Sequence, residues 1–485
     1  MCCSIRVIRP EDGLDQPPLT QPEDASLPTL SAGDASDMPR LGRWEVIAAV
    51  AIFVVFCAVV LVKSPQLLEP DDYAYRAAIV ALTHGNVTLT NNEYQALATQ
   101  LDSGTPSTGM PSGLDGQSIM QWVRLANGSW ISEKNPGYPF LAAPFQALGI
   151  LRAAPLFYGA LACFALFTGV RRWLGRWSGT WAVGFFLGSG AAMVFAWRST
   201  MPTFTDASLI AAGVGALMWT ALSVDRSSRA RIATGLLGLI ALETAVAIRY
   251  TNAVFLVVAL VAMLLSARRC GLPRTSWPWW FGSVAVLAGF VLWFNQTFYG
   301  NPFSTGYSTG VVTFSLGSVI PNLTIMPLLL VRSAPMVVLA LAALIWMLGR
   351  FARRRNDPSV ELSGIVRRDA ALGLAMAAAW FGLWGMYLAY DWTARMGAGD
   401  RSGGLHLIRF YLPALGVIAV LATWLVKQLP GWVAPVSVVG LFALGILTFQ
   451  LLAADGPGGP SGPGGPGDGP PGVGVGPGAP PPNSP

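Results

Sequence analysis

Apolar residues run for about 17–25 positions at a time along most of this chain, parted by short polar stretches rich in arginine. A helix of about 20 residues rises roughly 30 Å, the thickness of a bilayer's hydrocarbon. About eleven such runs are present, at 44–63, 153–170, 179–197, 203–224, 231–248, 250–267, 278–298, 326–349, 370–390, 410–427 and 432–453. Lipid offers a backbone no hydrogen-bond partner, so runs of this length must be helices. The pattern predicts an all-α polytopic membrane protein. One more apolar stretch, 138–150, is too short and too proline-broken to cross, and reads as re-entrant or interfacial.

The polar remainder divides the chain. Residues 1–40 contain proline and no apolar core, and are expected to form a disordered cytoplasmic tail. Residues 41–453 hold the membrane domain, with 64–152 as a long first loop expected to carry short interfacial helices. Residues 454–485 are rich in Gly and Pro and cannot build a core, so a second disordered tail is expected there.

Composition agrees with the pattern. The chain is 53% hydrophobic and 12% charged, about half the charged fraction of a soluble domain. Its net charge of +6 therefore records orientation and does not point to nucleic acid. The five cysteines show no CxxC or metal spacing, and the two histidines, His84 and His406, are far apart.

Basic residues fix a sidedness. With the N-terminus cytoplasmic, one set of loops holds Arg171, Arg172, Arg176, Arg226, Arg229, Arg231, Arg268, Arg269, Arg274, Arg350, Arg353 to Arg355, Arg367 and Arg368. The other set holds isolated arginines, Arg198, Arg249 and Arg332, then Arg395, Arg401 and Arg409. By the positive-inside rule the second set, the first loop and the C-terminal tail are extracytoplasmic. An arginine at the outer end of a span either snorkels to headgroups or has a partner or polar cavity.

The first outer loop opens on Glu69-Pro-Asp-Asp-Tyr-Ala-Tyr75. Pro70 to Gly85 reads as one short helix, with Asp71 or Asp72 at its N-cap and Tyr75, Ile79 and Leu82 on one face. Neighbouring side chains on a helix point about 100° apart, so the two aspartates face different partners. Both can be plain caps. Alternatively, one faces a reaction and the other caps or binds a partner. Such a pair with arginines suits transfer of a sugar from a polyprenyl phosphate. The leaving phosphate needs positive charge, and the acceptor hydroxyl needs a base.

Several motifs carry a resemblance. They are Pro70-Asp-Asp-Tyr-Ala-Tyr75, Glu133-Lys-Asn-Pro-Gly-Tyr-Pro-Phe-Leu-Ala-Ala-Pro-Phe145, Phe294-Asn-Gln-Thr-Phe-Tyr-Gly-Asn-Pro-Phe-Ser-Thr-Gly-Tyr307 and Arg409-Phe-Tyr-Leu-Pro413, with Thr205-Asp206 between them. Their order resembles the bacterial polyprenyl-phosphate-sugar-dependent glycosyltransferases of the GT-C fold. That group is related to protein O-mannosyltransferases and the lipid A aminoarabinose transferase. Asn135 stands where the group's pattern has a proline. The stretch from Thr90 to Trp130 is Gly/Ser-rich and matches no folded module.

The resemblance implies a GT-C-like bundle that moves a sugar from a polyprenyl-phosphate-linked donor, with inversion, to an envelope glycan, lipid or protein. By it Asp71 is the candidate base and Asp72 the second acid. Arg249 and Arg409 are candidates for the lipid phosphate, joined by Arg198. Lys134 either neutralises donor phosphate or is an exposed loop lysine. Tyr307 and its neighbours could bracket the sugar. Two adjacent aspartates could also hold Mg²⁺ or Mn²⁺. Glu243, a carboxylate within a span, is either protonated or paired with Arg249. Rival readings are a transporter or flippase of lipid-linked sugar and a scaffold without catalysis. No internal repeat favours the transporter.

Overall fold

The computed structural model describes residues 41–64, 70–103, 121–266, 276–306, 313–355, 364–399 and 405–454. Apart from Ala454, both expected tails lie outside the described residues, as does Tyr307. α1 (Arg43–Val62) leads into a polar excursion made of α2 (Pro70–Thr83), α3 (Asn91–Ser103), a hairpin of β1 (Trp122–Arg124) and β2 (Trp130–Ser132), and α4 (Gly137–Ala147). Next come α5 (Ala153–Leu174), α6 (Ser178–Leu187), α7 (Gly190–Trp197), α8 (Thr203–Leu222) and α9 (Ser228–Ile248). They are followed by α10 (Ala253–Ser266), α11 (Trp277–Tyr299), α12 (Val319–Ser333), α13 (Met336–Arg355) and α14 (Gly364–Leu388). Short α15 (Asp391–Gly399) and α16 (Leu405–Ile408) precede α17 (Leu415–Val426) and α18 (Val433–Ala454).

Among the described residues, nine helices are long and apolar enough to cross a membrane, or ten if the α6–α7 pair counts as one. The chain is a polytopic helical membrane protein. Four of its segments differ from the sequence pattern. The run 179–197 is bent by 63° between α6 and α7. Ser189 mends that break, its hydroxyl accepting from the Ala192 N–H at 3.1 Å. The runs 250–267 and 410–427 are shorter helices, Tyr250–Ser266 and Leu412–Val426.

The fourth is the run 326–349, which is two helices parted at Ala334 and Pro335. Pro335 lacks an N–H and suits only a helix start, so α13 begins afresh after it. Early in α12, Asn322 donates to the carbonyls of Leu388 at 2.8 Å and Tyr390 at 3.0 Å, where α14 ends. At the far end of α13, Arg350 reaches Gln428 at 3.5 Å, beyond the end of α17. The 20 residues of α13 use a full crossing. α12 therefore starts and finishes at the same end of the bundle.

Close backbone approach sets the central packing. A Cβ on Gly169 of α5 would lie 2.3 Å from the Gly215 carbonyl oxygen of α8, and one on Gly215 would lie 2.4 Å from the Ala165 carbonyl carbon. In lipid there is little hydrophobic gain between helices, so small residues that admit tight contact decide which helices pair.

The polar excursion corrects one expectation. Thr90 to Trp130 does contribute a folded unit, with 104–120 outside the described residues. Thr90 and Glu93 form a capping box, the Thr90 N–H donating to Glu93 Oε2 at 2.8 Å and the Glu93 N–H to Thr90 Oγ1 at 3.3 Å. Tyr94 then stacks on Trp130 at 4.3 Å, within a cluster that includes Tyr73, Leu97 and Trp122. Aromatic side chains give this small unit the core that its glycines and serines do not.

The glycine crossing predicts a contrast between two substitutions. Gly215→Leu should lower the melting temperature of detergent-purified protein, since overpacking alone costs about 1–3 kcal/mol and here the clash is with backbone. Gly282→Leu on α11, where an added Cβ meets no atom within 4 Å, should leave it unchanged. Equal melting temperatures for both variants would remove the crossing from the account.

Candidate active site

At one end of the bundle two arriving helices stop on arginine, and two that start there carry aspartate in their first turn. Arg198 caps the C-terminus of α7 and Arg249 that of α9. Asp71 and Asp72 lie in the first turn of α2, and Asp206 in that of α8. Each charge thereby meets the favourable pole of its own helix. Antiparallel packing brings these opposite charges to the same end.

The two adjacent aspartates divide as their helical spacing requires. Asp72 is fully buried, its Oδ2 bound by Arg198 Nη2 and its Oδ1 accepting from the Thr200 hydroxyl at 2.8 Å. Asp71 turns the other way. Lys134 Nζ lies 2.9 Å from its Oδ1 and Arg409 Nη2 lies 2.9 Å from its Oδ2, with 14% of the side chain still exposed. The Gln121 side chain is a further hydrogen-bond partner.

Burial alone would raise the Asp71 carboxyl, yet Arg409 and Lys134 outweigh it and hold the group well below the usual carboxylate range. Glu133 behaves oppositely. It sits 3.8 Å from Lys134, and burial raises its carboxyl against the pull of Lys134, with the Asp71 charge adding to the rise.

Lys134 is buried, which corrects its reading as an exposed loop lysine. The turn that carries it is anchored on both sides. The Asn135 amide donates to the Ile248 carbonyl at 3.2 Å, and the Tyr138 hydroxyl donates to the Ser199 carbonyl. Gly137 is required between them, because a Cβ there would lie 2.5 Å from the Ala247 carbonyl carbon. Tyr299 closes the other side by donating to the Ser132 carbonyl at 3.0 Å.

A second ion pair supports the first. Arg249 Nε lies 3.6 Å from Asp206 Oδ2, while Asn252 donates to Asp206 Oδ1 at 2.6 Å. Arg249 also donates from Nη1 to the Arg409 carbonyl at 2.8 Å and from Nη2 to the Thr203 hydroxyl at 3.1 Å. The Arg409 guanidinium lies over the rings of Trp392 at 5.2 Å and Phe410 at 4.9 Å. Asp206 thus steadies Arg249, and Arg249 steadies the backbone that aims Arg409.

Arg198, Arg249, Arg409 and Lys134 therefore gather around the aspartates. Arg332 does not join them and is exposed in the last turn of α12. Glu243 accepts from the Ser283 hydroxyl at 2.7 Å, while Arg249 pairs with Asp206. Four contributors escaped the sequence reading as site residues. Thr200, Gln121 and Asn252 carry no pattern that marks them. Asp206 does, as an acid in the first turn of a span.

Asp71 and Asp72 do not fit a divalent cation. Their oxygens already face Lys134, Arg409 and Arg198, and a dication between them would meet three positive charges. Among the described residues no group of three or more His, Cys, Asp or Glu is arranged to hold a metal ion.

No family model and no curated protein matches the chain. Among solved structures it is similar to ArnT from Cupriavidus metallidurans bound to undecaprenyl phosphate, at 14% identity over 85% of this chain and 72% of that one, with a TM-score of 0.41. It is also similar to the apo oligosaccharyltransferase of Archaeoglobus fulgidus, at 10% identity over 85% of this chain and 56% of that one, TM-score 0.47. The same organism's AglB with an inhibitory peptide and a dolichol-phosphate gives 11% identity, 86% and 56% coverage, and 0.45. The chain spans a little over half the length of these archaeal proteins. At such identities the likeness concerns the course of the chain alone.

Removing one partner of the buried Asp72 pair leaves an uncompensated charge, which costs about 3–5 kcal/mol. Arg198→Met should therefore lower the melting temperature clearly, whereas Asp71→Asn, at a partly exposed site, should lower it less. The reverse ranking in a thermal unfolding assay would contradict the division of the two acids.

Proposed function

We propose that this protein is a membrane glycosyltransferase that moves a sugar from a polyprenyl-phosphate-linked donor to a hydroxyl of an envelope glycan, lipid or protein. The observation that carries this reading is Asp71 held between Lys134 and Arg409, each at 2.9 Å, at a solvent-reachable point of the bundle's end. A base and two phosphate-binding cations within one contact of each other are what such a transfer needs.

The donor is a phosphodiester with one negative charge. When the bond from the anomeric carbon to phosphate oxygen breaks, the electron pair leaves with the lipid phosphate, which becomes a monoester carrying up to two charges. Lys134 and Arg409 gain interaction energy as that charge grows, so they favour the transition state over the bound donor. The acceptor oxygen forms its bond to the anomeric carbon from the opposite face, and Asp71 takes its proton. One displacement inverts the configuration.

The same two cations that meet the phosphate hold Asp71 in the free protein. A bound phosphate draws them away, and the Asp71 carboxyl rises towards its ordinary range and becomes a stronger base. Donor binding thus precedes activation of the acceptor. Asp72 and Arg198 fix the start of α2, and Asp206 with Arg249 fixes the backbone behind Arg409. The opposite end of the bundle carries Arg171, Arg172, Arg176, Arg226, Arg229 and Arg350, which supports an extracytoplasmic site and a cytoplasmic N-terminus in the plasma membrane.

The test is mass spectrometry of envelope glycans, glycolipids and glycoproteins from a strain lacking the gene. One sugar type should disappear and return with the wild-type gene. Asp71→Asn, inserted at the same level, should restore about 1% or less, because a general base contributes about 10²–10⁴-fold. Full restoration by Asp71→Asn would overturn the assignment. Movement of a lipid-linked sugar across liposomes without any transfer would establish the transporter instead.

A further inference from the structure

The end of the bundle away from the carboxylates holds a cavity of about 360 Å³, within the range of roughly 300–1,000 Å³ common for small-molecule sites. Trp177, Trp181, Val426, Lys427, Leu429 and Gly431 line it. One wall is a pair of near-parallel indoles, Trp177 and Trp181, with centroids 5.6 Å apart and planes 17° apart. Trp177 reaches this position at φ 68°, a left-handed conformation that strains a bulky side chain. The surrounding fold holds that strain where the indole meets the cavity.

The other wall is the turn between α17 and α18. Lys427 Nζ donates to the Arg176 carbonyl at 3.2 Å, and an ammonium has two further protons to give. Arg176, next to Trp177 in the chain, keeps 62% of its side chain exposed while pairing with Glu45. Trp432, just before α18, and Val436 and Val439 on it are exposed, and on a membrane-spanning helix that face meets lipid. The cavity is amphipathic, basic and next to the lipid boundary.

We propose that this cavity binds the headgroup of an anionic phospholipid from the leaflet at the arginine-rich end. Its phosphate accepts from the Lys427 ammonium, and its glycerol and first methylenes pack on the two indoles. Stacked indoles alone would also suit a quaternary ammonium. Lys427 repels that group and selects the anion.

Native mass spectrometry of the full chain in detergent tests this, with titration by phosphatidylglycerol, phosphatidylcholine or free glycerol phosphate. Lys427→Gln removes the charge. Gly431→Leu fills space, since an added Cβ there meets no atom within 4 Å, so one variant remains informative if the other misfolds. Arg229→Gln, at an exposed arginine in the first turn of α9 at the same end, controls for general attraction. The wild type and Arg229→Gln should retain phosphatidylglycerol at least about fivefold better than phosphatidylcholine, and the two cavity variants should lose that preference. Equal loss in Arg229→Gln, or unchanged retention in both cavity variants, would overturn the site. Binding of free glycerol phosphate as tight as that of the lipid would assign the cavity to a soluble anion and overturn the lipid reading.

Discussion

Charge beside hydrocarbon must be paired, and that constraint organises one end of this molecule. Three aspartates, three arginines and a lysine meet there, and none could be buried alone without a cost of several kcal/mol. Asp72 with Arg198, Asp206 with Arg249, and Asp71 with Lys134 and Arg409 settle the account locally. Helix direction decides which sign appears where. Asp71, Asp72 and Asp206 occupy first turns and Arg198 and Arg249 follow last turns, so antiparallel packing brings complementary charges to this one end.

These pairs are not equivalent. Asp72 has both oxygens bound and no exposure, and its partner comes from the end of a neighbouring span. It reads as an anchor. Asp71 is the one acid of the adjacent pair that keeps access to solvent, and its two cations arrive on separate loops. A phosphate can compete for those cations without dismantling the bundle, because the loops are held from behind by Asn135, Tyr138 and Arg249. The difference between an anchor and a reactive group thus comes from exposure and from which elements supply the partners.

Much of this was legible in the chain itself. Run length gave the helices, and arginine spacing gave the ends. The helical angle between neighbouring residues gave the separation of Asp71 from Asp72. What escaped has physical reasons. The breaks at Ser189 and Pro335 are local, and hydrophobicity does not register them while both flanks stay apolar. Lys134 looked exposed because its neighbours are polar, whereas Tyr138 and Gly137 bury it by pinning the turn against α9 and Ser199. The unit around Tyr94 was masked by glycine and serine, although the Thr90–Glu93 capping box was present to be read. Asp206 needed its partner Arg249, distant in sequence, before its role could be seen.

The central claim is that Asp71 and the phosphate of a polyprenyl lipid share Lys134 and Arg409. Difference infrared spectroscopy can follow the Asp71 carboxyl band, assigned by its loss in Asp71→Asn, across a pH titration with and without undecaprenyl phosphate. In the free protein the carboxylate band should persist below about pH 4, the ordinary aspartate value. With the lipid bound, protonation should begin at a higher pH, because the two cations have turned to the phosphate. A titration that does not move when the lipid binds would contradict the shared-cation account.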